Sequence, residues 1–408
     1  MIPDAANTPE HAGLSGARLS RIDGWMDRWV DSGRLAGMSV LVYRRGLVAY
    51  RRHTGMADIA RGTPMAADTI VRIYSMTKPL TSTALLMLYE EGLFQLDDPV
   101  SAVLPSFTAM QVYAGEGRDP VPAERPVTYR DLLTHTAGLT YGFMQATPVD
   151  ALYRERGIDF QTADGTLAEL VDRAAALPLL AQPGAAWNYS IATDVIGRLV
   201  EALSGQPFGR FLQERVIAPL GMTDTGWSVP GDKLPRFAAN YARGQDGQAV
   251  LLDDPATSRF ASPRFIASGG GGLVGTASDY LRFCRMILGG GTLNGERLLG
   301  RKTVALMTAN HLANPRGDDM ASMGQARFSE SSYAGIGFGL GFSVMLDPAR
   351  AQILGTPGEV AWGGAASTAF WIDPAEDMAV VMLTQLSPSS TYPIRRELRV
   401  LTYAALTD

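Results

Sequence analysis

Strand-forming segments stand only toward the two ends of this 408-residue chain, and the long stretch between them reads as mostly helical. Near the start, Met38 to Arg44 and Leu47 to Arg52 are short, rich in β-formers and joined through Arg45-Gly46, which is a hairpin pattern. Near the end, Gly335 to Val344 alternates glycine with Ile336, Phe338, Leu340 and Phe342 and reads as one strand; Ser367 to Ile372 and Met378 to Leu383 follow. Helical spacing of Leu19, Ile22, Trp25, Met26, Trp29 and Val30 gives an amphipathic first helix, and Leu398 and Leu401 mark a last one over Ile394 to Ala405. The expected fold class is α/β of the α+β type, with one antiparallel sheet flanked by the terminal helices and a mostly helical lobe inserted beside it. Residues 1–74 and 335–408 would form the sheet lobe and 75–334 the helical lobe, with a ligand site in the cleft between them.

Within the middle, Gly92 ends a helix that begins near Ser75, and Thr128-Tyr129-Arg130-Asp131 is a capping box. Ile196, Leu199, Val200 and Leu203 form a helical face, and Thr276 to Asp279 caps a further helix that carries Cys284. Gln245 to Pro263 and Ala313 to Ala334 lack periodicity and read as surface loops rimming the cleft.

The net charge is −5 and the positive charge is mostly scattered arginine, so neither a nucleic acid nor a membrane surface is an expected partner; a small molecule is. The single cysteine, Cys284, excludes an intrachain disulfide and reads as buried. With no signal-like start or membrane-length apolar run, the expected location is the cytoplasm. The four histidines are isolated and no metal site is expected.

Chemistry concentrates at Ser75-Met76-Thr77-Lys78. Residues three apart share a helix face, so the lysine nitrogen can reach the serine oxygen and take its proton. Pro79 is tolerated in a first helical turn, which puts Ser75 at a helix N-terminus, where the macrodipole favours an alkoxide and disfavours an ammonium. Farther on, Tyr189 follows the turn-rich Gln182 to Asn188; a phenol beside an ammonium is acidified, so it can share a proton with Lys78 and Ser75, or else be a packing residue. Trp362-Gly363-Gly364 opens a strand with two glycines that permit close backbone approach, either to an oxyanion or at a simple bulge.

Other signals lead away from chemistry. Gly269 to Gly272 lacks the lysine of a phosphate-binding loop and reads as a flexible connection, and Leu340 stands where a dinucleotide fingerprint starting at Gly335 needs glycine. No Gly-x-Ser-x-Gly occurs, so His135 lacks the partner of a Ser-His-Asp triad and reads as structural.

Together these stretches resemble the serine hydrolases of the class C β-lactamase and penicillin-binding-protein fold, and within them the family VIII carboxylesterases. Ser75 to Lys78 is similar to the first family motif, Tyr189 with Ser190 to the second and Trp362-Gly363-Gly364 to the third; Leu132 to Leu139 and Gly271 to Asp279 also match in order. The resemblance implies Ser75 as acylated nucleophile, Lys78 and Tyr189 as base and proton relay, and the backbone of Ser75 and Ala365 as oxyanion donors, with no cofactor. Trp362, Gly363 and Gly364 would bind substrate, and Tyr141, Phe143 and Trp187 would shape the pocket. Ile191 replaces the asparagine of the lactamases and Trp362 their lysine, which favours a short-chain ester over a lactam or peptide. Alternatives are a β-lactamase or D-amino peptidase or amidase, an acyltransferase, and a silent binding domain that keeps the fold.

Overall fold

The computed structural model describes residues 9–160, 162–262, 266–312, 317–324 and 329–408. Its main sheet contains β1 (Gly37–Arg44), β2 (Leu47–Asp58), β3 (Thr63–Pro64), β4 (Ile336–Phe338), β5 (Ser343–Met345), β6 (Val360–Gly363), β7 (Ala369–Asp373) and β8 (Met378–Thr384). They run in the order β4-β5-β6-β7-β8-β1-β2-β3, with antiparallel neighbours throughout. The two ends of the chain meet at the β1–β8 seam, from Met38 opposite Thr384 to Arg44 opposite Met378.

Five helices frame the sheet and the site: α1 (Arg21–Asp31), α2 (Thr77–Glu90), α3 (Ala192–Ser204), α4 (Ala277–Leu288) and α5 (Ile394–Tyr403). Every residue of β1 and β8 is buried, because helices cover both faces and a strand so placed needs continuous apolar sequence. Met38, Val40 and Val42, beside Val380 and Met382, point to the terminal helices and join Trp25, Met26 and Leu398. Leu41 and Val381 point the other way, into a core shared with Phe283 of α4 and with α2 and α3. Period two thus divides one sheet between two cores.

Several expectations change on the structure. Gly335 to Val344 is a hairpin rather than one strand: Ile336 pairs with Met345 and Phe338 with Ser343, and Gly341 turns the chain at φ +104°. The alternating pattern ran through the turn because Leu340 and Phe342 are also buried. Within the expected loop Gln245 to Pro263, Ala249–Asp253 is a strand paired with Asn240–Arg243, which in turn pairs in parallel with Leu386–Ser387; Pro263 lies outside the described residues. In the other, Met320 and Met323 are buried in a short helix packed near Trp187, while Ala313 is outside the described residues.

The lobes also interlock more than a simple insertion would. Although inside 75–334, α4 packs on the sheet, with Tyr280 and Phe370 of β7 at 4.8 Å between ring centroids. Among the described residues no helix is long and apolar enough to cross a membrane.

Candidate active site

Ser75 sits in a single 3-10 turn, Tyr74–Met76, immediately before α2. Pro79 falls in the first turn of α2, where its missing N–H breaks no helical bond. The turn is held from two sides. Val71–Arg72 pairs with Val274–Gly275, and a Cβ on Gly364 would stand 2.4 Å from the Ile73 carbonyl oxygen. Tyr74 adopts φ +43°, an uncommon conformation for a side chain of its size, directly before Ser75.

The helix that follows is buried from Thr77 to Leu88, so its polar side chains need internal partners. They find them in Ser268 to Leu273. Thr81 donates to the Gly269 carbonyl at 2.9 Å, Lys78 Nζ to the Gly270 carbonyl at 2.7 Å, and the Leu273 N–H donates to Thr77 Oγ1 at 3.2 Å. The glycine run expected as a flexible connection is therefore a packed wall. A Cβ at Gly269 would lie 2.4 Å from the Thr193 carbonyl oxygen, and one at Gly270 would lie 2.6 Å from Asp194 Oδ2. The glycines are there because α2 and α3 pinch the segment between them.

Around Ser75 the predicted residues converge. Tyr189 donates its hydroxyl proton to Ser75 Oγ at 2.6 Å, and Lys78 Nζ stands 3.4 Å from the same oxygen and 3.1 Å from Tyr141 Oη. Lys78 is 2% exposed, and burial pushes its amine down to about 7, with the Asp194 carboxylate pulling the other way. The expected cause was the helix dipole; the observed one is loss of water. Tyr189 departs further from expectation. Burial raises its hydroxyl above the ordinary phenol value, outweighing the Ser75 hydrogen bond, so it stays protonated.

A cavity of about 1040 Å³ opens on this cluster, lined by Ser75, Tyr141, Phe143, Tyr189, Ile191 and the Trp362 to Ala365 turn. Phe143 is 56% exposed at its rim and stacks on Tyr141 at 4.6 Å. The β6 strand pairs with β5 only at Val360 and Ala361, so its last residues, Trp362 and Gly363, run past the β5 partner toward the cavity. Trp187, expected at the pocket, does not line it. Its backbone N–H donates to the Met323 carbonyl at 3.0 Å, and its indole packs behind Tyr189, with ring centroids 6.4 Å apart, among Leu312, Met320 and Met323. His135 hydrogen-bonds Ser190 at 3.2 Å and packs 5.0 Å from the Tyr189 ring; buried beside Lys78, its imidazole is held well below its ordinary pKa and therefore neutral.

Asp194, Ser268 and Gly270 were not anticipated. In sequence, Asp194 resembles any acidic residue in a first helical turn. Nothing in the sequence singles it out; the structure does, by burying all of Ala192 to Ile196.

A sheet joined from both chain ends, a helical side and the Ser75 turn between them define a serine hydrolase of the β-lactamase fold. The chain belongs to the beta-lactamase family, whose model matches residues 22–404. It is 34% identical to Esterase EstB of Burkholderia gladioli, covering 98% of this chain and 99% of that one. It is 38% identical to an uncharacterized protein of Mycobacterium tuberculosis over 88% of each. Among solved structures it resembles EstCE1, "a hydrolase with promiscuous acyltransferase activity", with TM-score 0.79 and 28% identity over 95% of this chain and 99% of that one.

Proposed function

We propose that the protein is a serine carboxylesterase that hydrolyses short-chain carboxylic esters through an acyl-enzyme on Ser75. The observation that carries this reading is an amine near neutrality, Lys78, 3.4 Å from a serine oxygen that also accepts the Tyr189 hydroxyl at 2.6 Å. A neutral amine has two N–H bonds and one lone pair. Gly270 and Tyr141 take the two N–H bonds, which leaves the lone pair for Ser75.

In the first half-reaction Ser75 Oγ attacks the ester carbonyl while Lys78 takes its proton, and the backbone N–H groups of Ser75 and Ala365 stabilise the oxyanion. Tyr189 gives its hydroxyl proton to the departing alcohol and regains one from Lys78. Water then attacks the acyl carbonyl with the same groups acting in reverse order, releasing the acid and Ser75. The scheme uses no cofactor. Ile191 and Trp362 make the wall beside Ser75 apolar, which suits a small acyl group better than a charged peptide or lactam.

The test is turnover of p-nitrophenyl acetate and butyrate by wild type and Ser75→Ala, with mass spectrometry of the trapped acyl-enzyme. Wild type should carry the acyl mass on Ser75 and the variant should be inactive; ester turnover surviving in Ser75→Ala overturns the reading. A second reading, acyl transfer to an alcohol in place of water, is favoured by the volume of the cavity, about 1040 Å³, which exceeds the needs of a short ester alone. A transfer product dominating at low millimolar alcohol would support it.

A further inference from the structure

Asp194 is a carboxylate that nothing in the reaction above uses, yet it is 1% exposed and, among the described residues, makes no ion pair. Carboxylates are rarely buried in this way without a partner. Its Oδ1 accepts the Ser268 hydroxyl at 2.6 Å and the Gly270 N–H at 3.0 Å, while the carbonyl of that same Gly270 accepts the Lys78 amine at 2.7 Å. One residue of backbone therefore separates a buried acid from the catalytic amine. We infer that Asp194 is the positioning residue of the site: its carboxylate grips Gly270, so that the Gly270 carbonyl aims Lys78 at Ser75, and its negative charge tunes the charge state of that amine.

The inference rests on Lys78 serving as the base in the proposed reaction. Three features of the fold support it. Asp194 lies in the first turn of α3, where the helix end favours a negative charge. The Gly269 and Gly270 backbone fits against Thr193 and Asp194 so closely that neither position tolerates a Cβ, so the segment has no room to shift if its anchor is kept. Thr81 fixes the preceding carbonyl from the other side, leaving Gly270 as the one carbonyl of the pair offered to Lys78.

The groups facing Lys78 make the charge effect separable. From the loop after the Tyr129–Leu133 helix come His135 and Tyr141, from the loop before α3 comes Tyr189, and from α3 comes Asp194. The imidazole is neutral and both phenols are held protonated by burial, so Asp194 is the charge that acts on the amine; burial, with a smaller push from Asp159, raises the Asp194 carboxyl above its ordinary value, and the Ser268 hydroxyl, Lys78 and the Gly270 N–H pull it back toward the carboxylate. Burial drives Lys78 toward the neutral amine and Asp194 restrains that drift.

The chain contains only three lysines, Lys78, Lys233 and Lys302, so carbon-13 labelling at lysine Cε gives a spectrum in which Lys78 is assigned by its loss in Lys78→Met. In wild type its resonance should titrate near pH 7. In Asp194→Asn, whose amide oxygen still accepts from Gly270, the midpoint should fall by about one unit, with Lys233 and Lys302 unmoved. The acid limb of kcat/KM should shift by the same amount. A midpoint that stays or rises overturns the charge role.

Ser268→Ala tests the grip without changing charge and serves also if Asp194→Asn does not fold. It should lower kcat by about tenfold with KM unchanged and the Lys78 midpoint displaced less than in Asp194→Asn. Unaltered kcat overturns the positioning role. The underlying reading fails separately: a wild-type Lys78 that titrates near the ordinary lysine value removes the base itself, whatever Asp194 does.

Discussion

Two buried charge clusters lie on opposite sides of the main sheet, and they are wired differently. Behind the sheet, Arg399 of α5 bonds Glu359 directly at 2.6 Å, the Tyr403 hydroxyl lies 2.5 Å from Glu359 and 2.8 Å from Asp373, and the guanidinium covers the Trp371 ring at 4.6 Å. In the cleft, Lys78 and Asp194 are kept apart by the Gly270 backbone, and among the described residues the amine hydrogen-bonds a carbonyl, a phenol and Ser75. Direct pairing satisfies both charges and ties α5 to the sheet. Separation leaves the amine under-compensated, which is what lets burial bring it to about 7, the range the proposed base requires.

The largest expected effect comes from removing the separated amine. Lys78→Met should lower ester turnover by about a thousandfold and also raise folding stability at neutral pH by about 1–3 kcal/mol. The sign follows from the lowered amine: a folded-state value near 7 lies below the unfolded value of 10.5, so protonation favours the unfolded chain. The penalty is full below about 7 and fades as pH rises toward 10.5, so denaturant curves of the two proteins should draw together in alkali.

Breaking the paired cluster should do the opposite. Glu359→Gln leaves Arg399 buried without its counter-charge, and urea titration should show a loss of about 3 kcal/mol, while kcat/KM per folded molecule stays unchanged. A fall in activity without a fall in stability would show that the rear cluster is wired to the site. The smallest effect belongs to a residue in neither cluster. Trp362→Ala enlarges the apolar wall and should shift the preference among p-nitrophenyl esters from acetate toward longer acyl chains by about tenfold, with the pH profile unmoved.

How far the sequence reaches depends on what each residue answers to. The β1 and β8 strands were legible because both faces are buried and their apolar runs have no competing reading. Ser75 and Lys78 stood out by their spacing of three, while Tyr189 stood open as a packing residue until the family resemblance gave it a role; Lys78 Nζ lies 3.4 Å and Tyr189 Oη 2.6 Å from Ser75 Oγ. Gly269 to Gly272 misled because glycine serves flexibility and close packing alike, and only the position of Thr193 and Asp194 distinguishes the two. Trp187 misled because an aromatic two residues before Tyr189 can face either way, and the residues it packs against, Leu312, Met320 and Met323, lie far along the chain. The electrostatics were least legible. Depth of burial, rather than neighbouring charge, sets the directions for Lys78 and Tyr189, and burial is a property of the finished fold.

The proposed reaction needs a lysine that loses its proton near neutrality beside a tyrosine that keeps its own. The pH dependence of kcat/KM for p-nitrophenyl butyrate, from about pH 5 to about pH 10, measures both at once. The rate should climb about tenfold per pH unit at the acid end, bend near 7 and then stay level, because Tyr189 remains protonated. A profile already flat in acid, or one that begins to rise only above about pH 9, would contradict it.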